Sequence, residues 1–179
     1  MKNLLLVAIA IFGFSAVSFA QPTNTATASA NIVTVLTINK IVGGDMNFGN
    51  IFAHSTDAGS VVLPPNGGRT LNSVTAPANT GTVSAAKFLI TGTGGSLFTL
   101  TLPADNTVKV SKSGAPDMNV NTFTSDVTGS TTEGNQSATL EADGGQEVHI
   151  GATLSVASSA TQTPGQYVST PFTVTVAYN

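Results

Sequence analysis

The chain has 179 residues, of which only 8% are charged, with six basic and nine acidic side chains and no cysteine. This composition excludes disulfide bonds and a cysteine-attached lipid, and the lack of a basic patch argues against nucleic-acid binding. No basic amphipathic helix that would attach the chain to a membrane surface is apparent.

The first twenty residues are typical of a cleaved secretory signal. Lys2 is positive, Leu4–Phe14 is apolar but too short for a permanent membrane span, and Ser18-Phe19-Ala20 offers small residues at the cleavage positions. We therefore expect residues 1–20 to be removed. The product would be a secreted or cell-surface protein that starts at Gln21, without stable membrane insertion, and long enough for a single domain over 21–179.

The residues that follow alternate between small apolar and polar side chains. Even positions carry Ala or Ile and odd positions carry Thr, Ser or Asn, so the apolar set is Ala26, Ala28, Ala30 and Ile32. The pattern continues to Ile38, but Val33 and Val35 make its middle apolar on both faces, as in a strand covered from two sides. Two interpretations stay open. Residues 26–38 form a long first strand, or residues 21–32 form an N-terminal arm.

Short strand-like runs separated by turn signals fill the middle of the chain, without helical periodicity. Asn66-Gly67-Gly68 and Gly92-Thr93-Gly94-Gly95 are both predicted to be hairpin turns. Phe48, in a short predicted strand at 45–49, is a predicted core residue. This spacing predicts an all-β, immunoglobulin-like β-sandwich. The other predicted strands of this region are 60–63, 69–74, 85–91, 97–102, 107–110, 118–123, 137–140 and 148–156.

The carboxyl-terminal residues carry the strongest strand pattern. From Phe172 onward, large apolar residues occupy every second position, with Thr or Ala between them. Because successive side chains of a strand point to opposite faces, we expect Phe172, Val174, Val176 and Tyr178 to line one buried face. Pro171, just before this run, removes one backbone donor.

Few residues suggest chemistry. His54 and His149 are the only histidines, and a zinc site would need further ligands in a chain without cysteine. His149 alternates with apolar neighbours, so we expect it to face solvent. The acidic turn at 141–147 does not have the ligand spacing of a calcium loop. No nucleophile elbow, metalloprotease motif or phosphate loop occurs, so we predict no enzyme, no cofactor and no metal site.

Three stretches resemble a family of small exported bacterial domains of unknown function. They are Asp45-Met46-Asn47-Phe48-Gly49, the run 150–156, and the ending built from Pro164-Gly165, Tyr167 and Val176-Ala177-Tyr178-Asn179. The resemblance covers essentially the whole of 21–179. That family is similar in turn to spore-coat-protein-U-like and other chaperone–usher fimbrial subunits, which end on an alternating strand with a penultimate tyrosine and an upstream glycine.

The resemblance implies a pilin-like sandwich with an incomplete sheet edge. The vacant position would be filled first by a periplasmic chaperone and then by the N-terminal strand of another copy or a related subunit. The assembly strand would include Gly165, Tyr167, Phe172, Val174, Val176 and Tyr178. The candidate donor arm would include Ala26, Ala28, Ala30 and Ile32.

Two functional hypotheses follow. The first is a structural subunit or adhesin of a bacterial surface filament or coat, assembling by strand addition. The second is a self-complete secreted sandwich that binds a glycan or an envelope protein through loops 50–57 and 125–136. The second hypothesis gains if residues 26–38 are an ordinary first strand, because little chain is then left to donate.

Overall fold

The computed structural model describes residues 23–128 and 132–179, and the predicted signal at 1–20 lies outside the described residues. The chain divides into two units, 1–32 and 33–179. Residues 23–32 of the first unit are exposed and have no regular secondary structure. In the second unit, every regular element of the described residues is a β-strand. Over the same described ranges, no helix has the length and apolar character needed to cross a membrane.

Fourteen short strands, each antiparallel to its partners, form the described part of unit 33–179. They are β1 (Thr37–Lys40), β2 (Phe52–Ala53), β3 (Gly59–Leu63), β4 (Thr70–Asn72), β5 (Val74–Thr75), β6 (Ala86–Thr91), β7 (Leu97–Thr101), β8 (Val108–Ser111), β9 (Met118–Ser125), β10 (Thr132–Glu133), β11 (Gln136–Thr139), β12 (Gly145–Val156), β13 (Val168–Ser169) and β14 (Thr175–Tyr178).

The large sheet is organised around β12, its longest strand. The first half of β12 pairs with β6, the second half pairs with β3, and β9 lies along the other flank. The strand order is β1-β6-β12-β9-β8-β13, with β4 beside β3 and β10 beside β9. β12 suits this central position because Val148, Ile150, Ala152 and Leu154 alternate along it and are all buried.

A smaller sheet, in the order β11-β7-β14, contributes the other half of the core, and β2 pairs separately with β5. Phe98 and Leu100 of β7 are completely buried in one cluster with Ile90 and Val148 of the large sheet. Burying a side chain of this size stabilises the folded state by about 1.5–3 kcal/mol. The protein is therefore an all-β sandwich, and the predicted fold class is confirmed.

The predicted first strand, residues 26–38, is wrong in its bounds. Only Thr37–Lys40 pairs with β6, and the described residues before it form no strand. Val33 and Val35, whose neighbourhood was expected to be covered on both faces, are 52% and 76% exposed, while Ile38 packs against the core. The apolar pattern was misleading because only the side of this stretch that carries Leu36 and Ile38 packs against the core, which leaves Val33 and Val35 on the outer side.

The two glycine-rich turns differ in what they connect. Asn66-Gly67-Gly68 joins β3 to β4 in a hairpin, as predicted, and Gly67 and Gly68 have φ of 83° and 74°, which glycine adopts without strain. Gly92–Gly95, in contrast, is not a hairpin turn. It carries the chain from β6 in the large sheet to β7 in the small sheet. The Gly92 N–H donates to the carbonyl oxygen of Gly144 at 2.8 Å, which holds this crossing against the β11–β12 connection.

The run at 45–49 does not form a strand of its own. Asn47 makes an isolated bridge to Ser84, and Phe48 packs against the core while partly exposed. The carbonyl oxygen of Phe48 accepts a hydrogen bond from the Arg69 guanidinium. Phe48 therefore has the expected core contact, although it lies in irregular backbone.

Candidate functional site

The carboxyl-terminal stretch divides between the two sheets. Val168–Ser169 (β13) pairs with β8 at one edge of the large sheet, whereas Thr175–Tyr178 (β14) pairs with β7 in the small sheet. Residues 170–174 cross between them and include Pro171, which has no N–H to contribute to a ladder. The terminal strand is therefore shorter than the alternating pattern suggested.

Gly165 and Tyr167 precede β13 and so belong to the large-sheet edge rather than to the terminal strand. Gly165 has a φ of 142°, and a Cβ at this position would lie closer than 3.0 Å to the Cε and Cδ atoms of Lys112. The lysine stem thus covers a position that favours glycine. The Tyr167 hydroxyl donates to the carbonyl oxygen of Thr163 at 2.7 Å. Both residues have local structural roles at this edge.

The residues at and before β14 alternate as predicted. Val174 is buried at 8% exposure, and Phe172, Val176 and Tyr178 are partly buried against the core. The odd-numbered positions between them are exposed. Phe172 also stacks at a tilt on Phe123, with ring centroids 5.5 Å apart. One face of the stretch thus covers the core, and the other faces solvent.

β14 has a strand partner on one flank only, among the residues that the structure describes. That partner is β7, in a register that sets Val176 opposite Leu100 and Tyr178 opposite Phe98. β1 is likewise an edge strand, of the large sheet. The other flank of β14, called its free flank below, has no ladder partner among the described residues, although β1 lies close to β14 without pairing with it.

The hydroxyl group of Tyr178 fastens the end of β14. It donates to the carbonyl oxygen of Thr34 at 2.9 Å and accepts from the backbone N–H of Thr93 at 2.7 Å. The Thr34 N–H also donates to the Thr93 side-chain hydroxyl, at 2.8 Å. Three segments that are distant in sequence are therefore held together at one end of the terminal strand.

The candidate donor arm has the alternating side chains of a strand, but it forms no strand in the structure. Ala26, Ala28, Ala30 and Ile32 are all exposed, with Ile32 at 96%, and none lies in a strand. Residues 23–32 thus have no strand partner among the described residues.

The two histidines serve local structure. His54 Nδ1 accepts from the Asp57 N–H at 3.1 Å, inside the loop 50–57 that was a candidate for binding. His149 faces outward from β12 as predicted, but it is only partly exposed. Its Nδ1 lies 2.7 Å from Asp126 Oδ2 and its Nε2 lies 3.0 Å from Glu147 Oε1. Each ring nitrogen of His149 therefore lies beside a carboxylate oxygen on the outer face of the large sheet.

The second candidate loop, 125–136, contains strand residues on both sides of its undescribed part. Ser125 ends β9 and Gln136 begins β11, with β10 between them and residues 129–131 outside the described ranges. Asp126 was not singled out from the sequence, yet its Oδ1 accepts from the His149 N–H at 2.7 Å. No sequence signal links the two residues, because strand pairing brings them together. Over the described residues, no group of three or more His, Cys, Asp or Glu is arranged to hold a metal ion.

The fold and its one-sided terminal strand define an all-β sandwich protein with an open edge. A family model described as "Domain of unknown function (DUF4402)" matches residues 36–178. The chain belongs to this family, which agrees with the uncharacterised domain family that the sequence resembles. No curated protein and no solved structure matches the chain.

Proposed function

We propose that the protein is a structural subunit or adhesin of a bacterial surface filament or coat, in which copies join by strand addition. Residues 23–32 of one copy pair with the free flank of β14 in the next. The observation that carries this proposal is that the last strand of the described fold has a ladder partner on one side only, in a chain that also holds an unpaired, strand-like segment.

The dimensions support this pairing. Ten extended residues, 23–32, reach about 33 Å, whereas the four residues of β14 span about 13 Å. The arm therefore has enough length to cover the flank and still allow for the connection to residue 33. Backbone hydrogen bonds along the added strand supply most of the attraction, and alternate side chains supply the fit.

The small side chains of the arm suit the surface that β14 presents. Val174 is already buried and Val176 and Tyr178 are partly buried, so the core beneath this strand is largely filled. An incoming strand has to cover shallow apolar surface rather than fill a deep groove. Alanine at 26, 28 and 30 does this without the steric cost of overpacking.

The proposal implies export by the predicted signal at 1–20 and no catalytic role. It also implies a periplasmic chaperone that covers the edge strand before assembly, because an uncovered edge strand is an aggregation site. A self-complete module that binds a glycan or an envelope protein through loops 50–57 and 125–136 is the alternative.

The test compares the chain from Gln21 with a variant that lacks residues 21–30, by size-exclusion chromatography with light scattering and by electron microscopy. We expect the longer chain to form oligomers or filaments and the shortened chain to be monomeric. A synthetic peptide of residues 21–32 should bind the shortened chain. If the longer chain is only ever monomeric and the peptide does not bind, the self-complete module is the correct description.

A further inference from the structure

A shallow polar trough lies on the outer side of the large sheet, near the ends of β3, β4, β9 and β12. It has a volume of about 530 Å³. Its polar lining comes from Ser60, Asn72, Ser73, Asp117, Asn119 and Ser155. Asp117 is the one ionisable residue among the residues that line it.

Strand register places four of these side chains in one row. Ser60 is paired with Asn72 on β4 and with Ser155 on β12. The pairing of Leu154 with Val120 sets Ser155 beside Asn119 on β9. Paired residues share a face, so the row crosses four adjacent strands and spans about 14 Å at the usual strand spacing.

The side chains of this row carry amide and hydroxyl groups, which can both donate and accept hydrogen bonds. Asn72 Nδ2 donates to Ser60 Oγ at 3.3 Å, and Asn119 Nδ2 contacts Asn106 Oδ1 at 3.5 Å. Asn119 Oδ1 and Ser155 Oγ have no hydrogen-bond partner among the described residues. Amide and hydroxyl groups can both bond to a sugar hydroxyl, which is itself a donor and an acceptor.

The end of the trough is built by a constrained backbone. Ser73 has a φ of 52°, which is uncommon for a residue other than glycine. It is packed on Gly59, where a Cβ would lie closer than 3.0 Å to the carbonyl oxygens of both Asn72 and Ser73. Close packing against Gly59, on the neighbouring strand β3, thus holds the bend that ends β4 in place.

We infer that this trough binds a neutral polysaccharide chain. The shortage of cationic lining groups disfavours phosphate or sulfate, and the polar row disfavours a protein partner, whose contact would need an apolar centre. No aromatic ring lies among the lining residues, so binding at a single trough is weak. An assembled array of copies would raise the effective affinity through multivalency.

The test is native electrophoresis of the chain from Gln21 through gels containing glucomannan, arabinoxylan, mixed-linkage β-glucan or mannan. We expect retardation by at least one of these polymers relative to a polymer-free gel. The double variant Asn72→Ala/Asn119→Ala should lose most of that retardation. The matched control Asn39→Ala/Asn66→Ala removes two exposed asparagines elsewhere and should retain it.

A second variant helps to distinguish loss of binding from loss of folding. Ser155→Gln places a larger neutral side chain at an exposed position in the trough and should also abolish retardation. Absence of retardation by all four polymers, or equal retardation of wild type and both trough variants, would overturn the inference. Binding does not depend on the proposed assembly, so the chain that lacks residues 21–30 is expected to be retarded too. Failure of assembly and failure of saccharide binding are thereby distinguished.

Discussion

Gly92 lies directly beneath the hydroxyl group of Tyr178. A Cβ at residue 92 would be closer than 3.0 Å to that oxygen and also to the Cδ1 atoms of Leu36 and Leu140. Three segments therefore meet at Gly92, which has no side chain. They are the terminal strand, the residues before β1 and the crossing after β6. Tyr178 can bridge Thr34 and Thr93 because this space is left free.

We predict that Gly92→Ala destabilises the fold by about 1–3 kcal/mol, the usual cost of overpacking a filled site. Urea unfolding of the chain without residues 21–30 would measure it. Gly145→Ala is the control, because a Cβ there has its nearest contact at 3.7 Å, from Asp143 Oδ1. Equal stability of the two variants would contradict the proposed crowding at Gly92.

Tyr178→Phe should also destabilise the fold, by about 1–3 kcal/mol, because it removes one donor and one acceptor and leaves the part-buried N–H of Thr93 and the exposed carbonyl oxygen of Thr34 without this partner. Tyr167→Phe removes a single, exposed hydrogen bond and should cost less. The free energy of unfolding of each variant in urea gives the comparison. A Tyr178→Phe protein as stable as wild type would show that the bridge has no energetic role.

Substitutions at neighbouring even and odd positions of residues 23–32 test strand addition, because only one face of an added strand would be buried. Ala28 is on the face that would pack against the neighbouring core, and Ser29 is on the opposite face. Ala28→Asp should reduce the assembled fraction at least about tenfold, since burying an unpaired carboxylate costs several kcal/mol. Ser29→Asp should leave assembly nearly unchanged. Light scattering of both variants measures this, and equal effects would exclude a strand with one buried face.

The contact between Asp126 and His149 should stabilise the β9 end of the large sheet. Asp126→Ala removes an acceptor for both the backbone N–H and the ring of His149, so we expect a loss of about 1 kcal/mol, reduced by partial exposure. Glu147→Ala, which removes the more exposed carboxylate, should change stability less. Thermal unfolding at neutral pH measures both variants. The reverse order of effects would contradict this assignment.

Local sequence patterns were sufficient to predict several features of the structure. The alternation from Phe172 to Tyr178 correctly identified which side chains cover the core, and Asn66-Gly67-Gly68 correctly identified a hairpin. Both rest on short-range stereochemistry, namely the two-residue period of a strand and the backbone freedom of glycine. The all-β class follows from the same kind of information.

Pairing between distant segments was not available from the sequence. Gly92–Gly95 has the composition of a hairpin turn, yet it connects two sheets, and Val33 and Val35 have the composition of a covered strand, yet they are exposed. The bridge from Tyr178 to Thr34 and the row from Asn72 to Asn119 depend on which strands lie side by side. Residue order determined the all-β class and the inward faces of the most regularly alternating strands. The tertiary structure decided which edges stay open, because burial and ladder partners are properties of the whole packed sandwich rather than of any one segment.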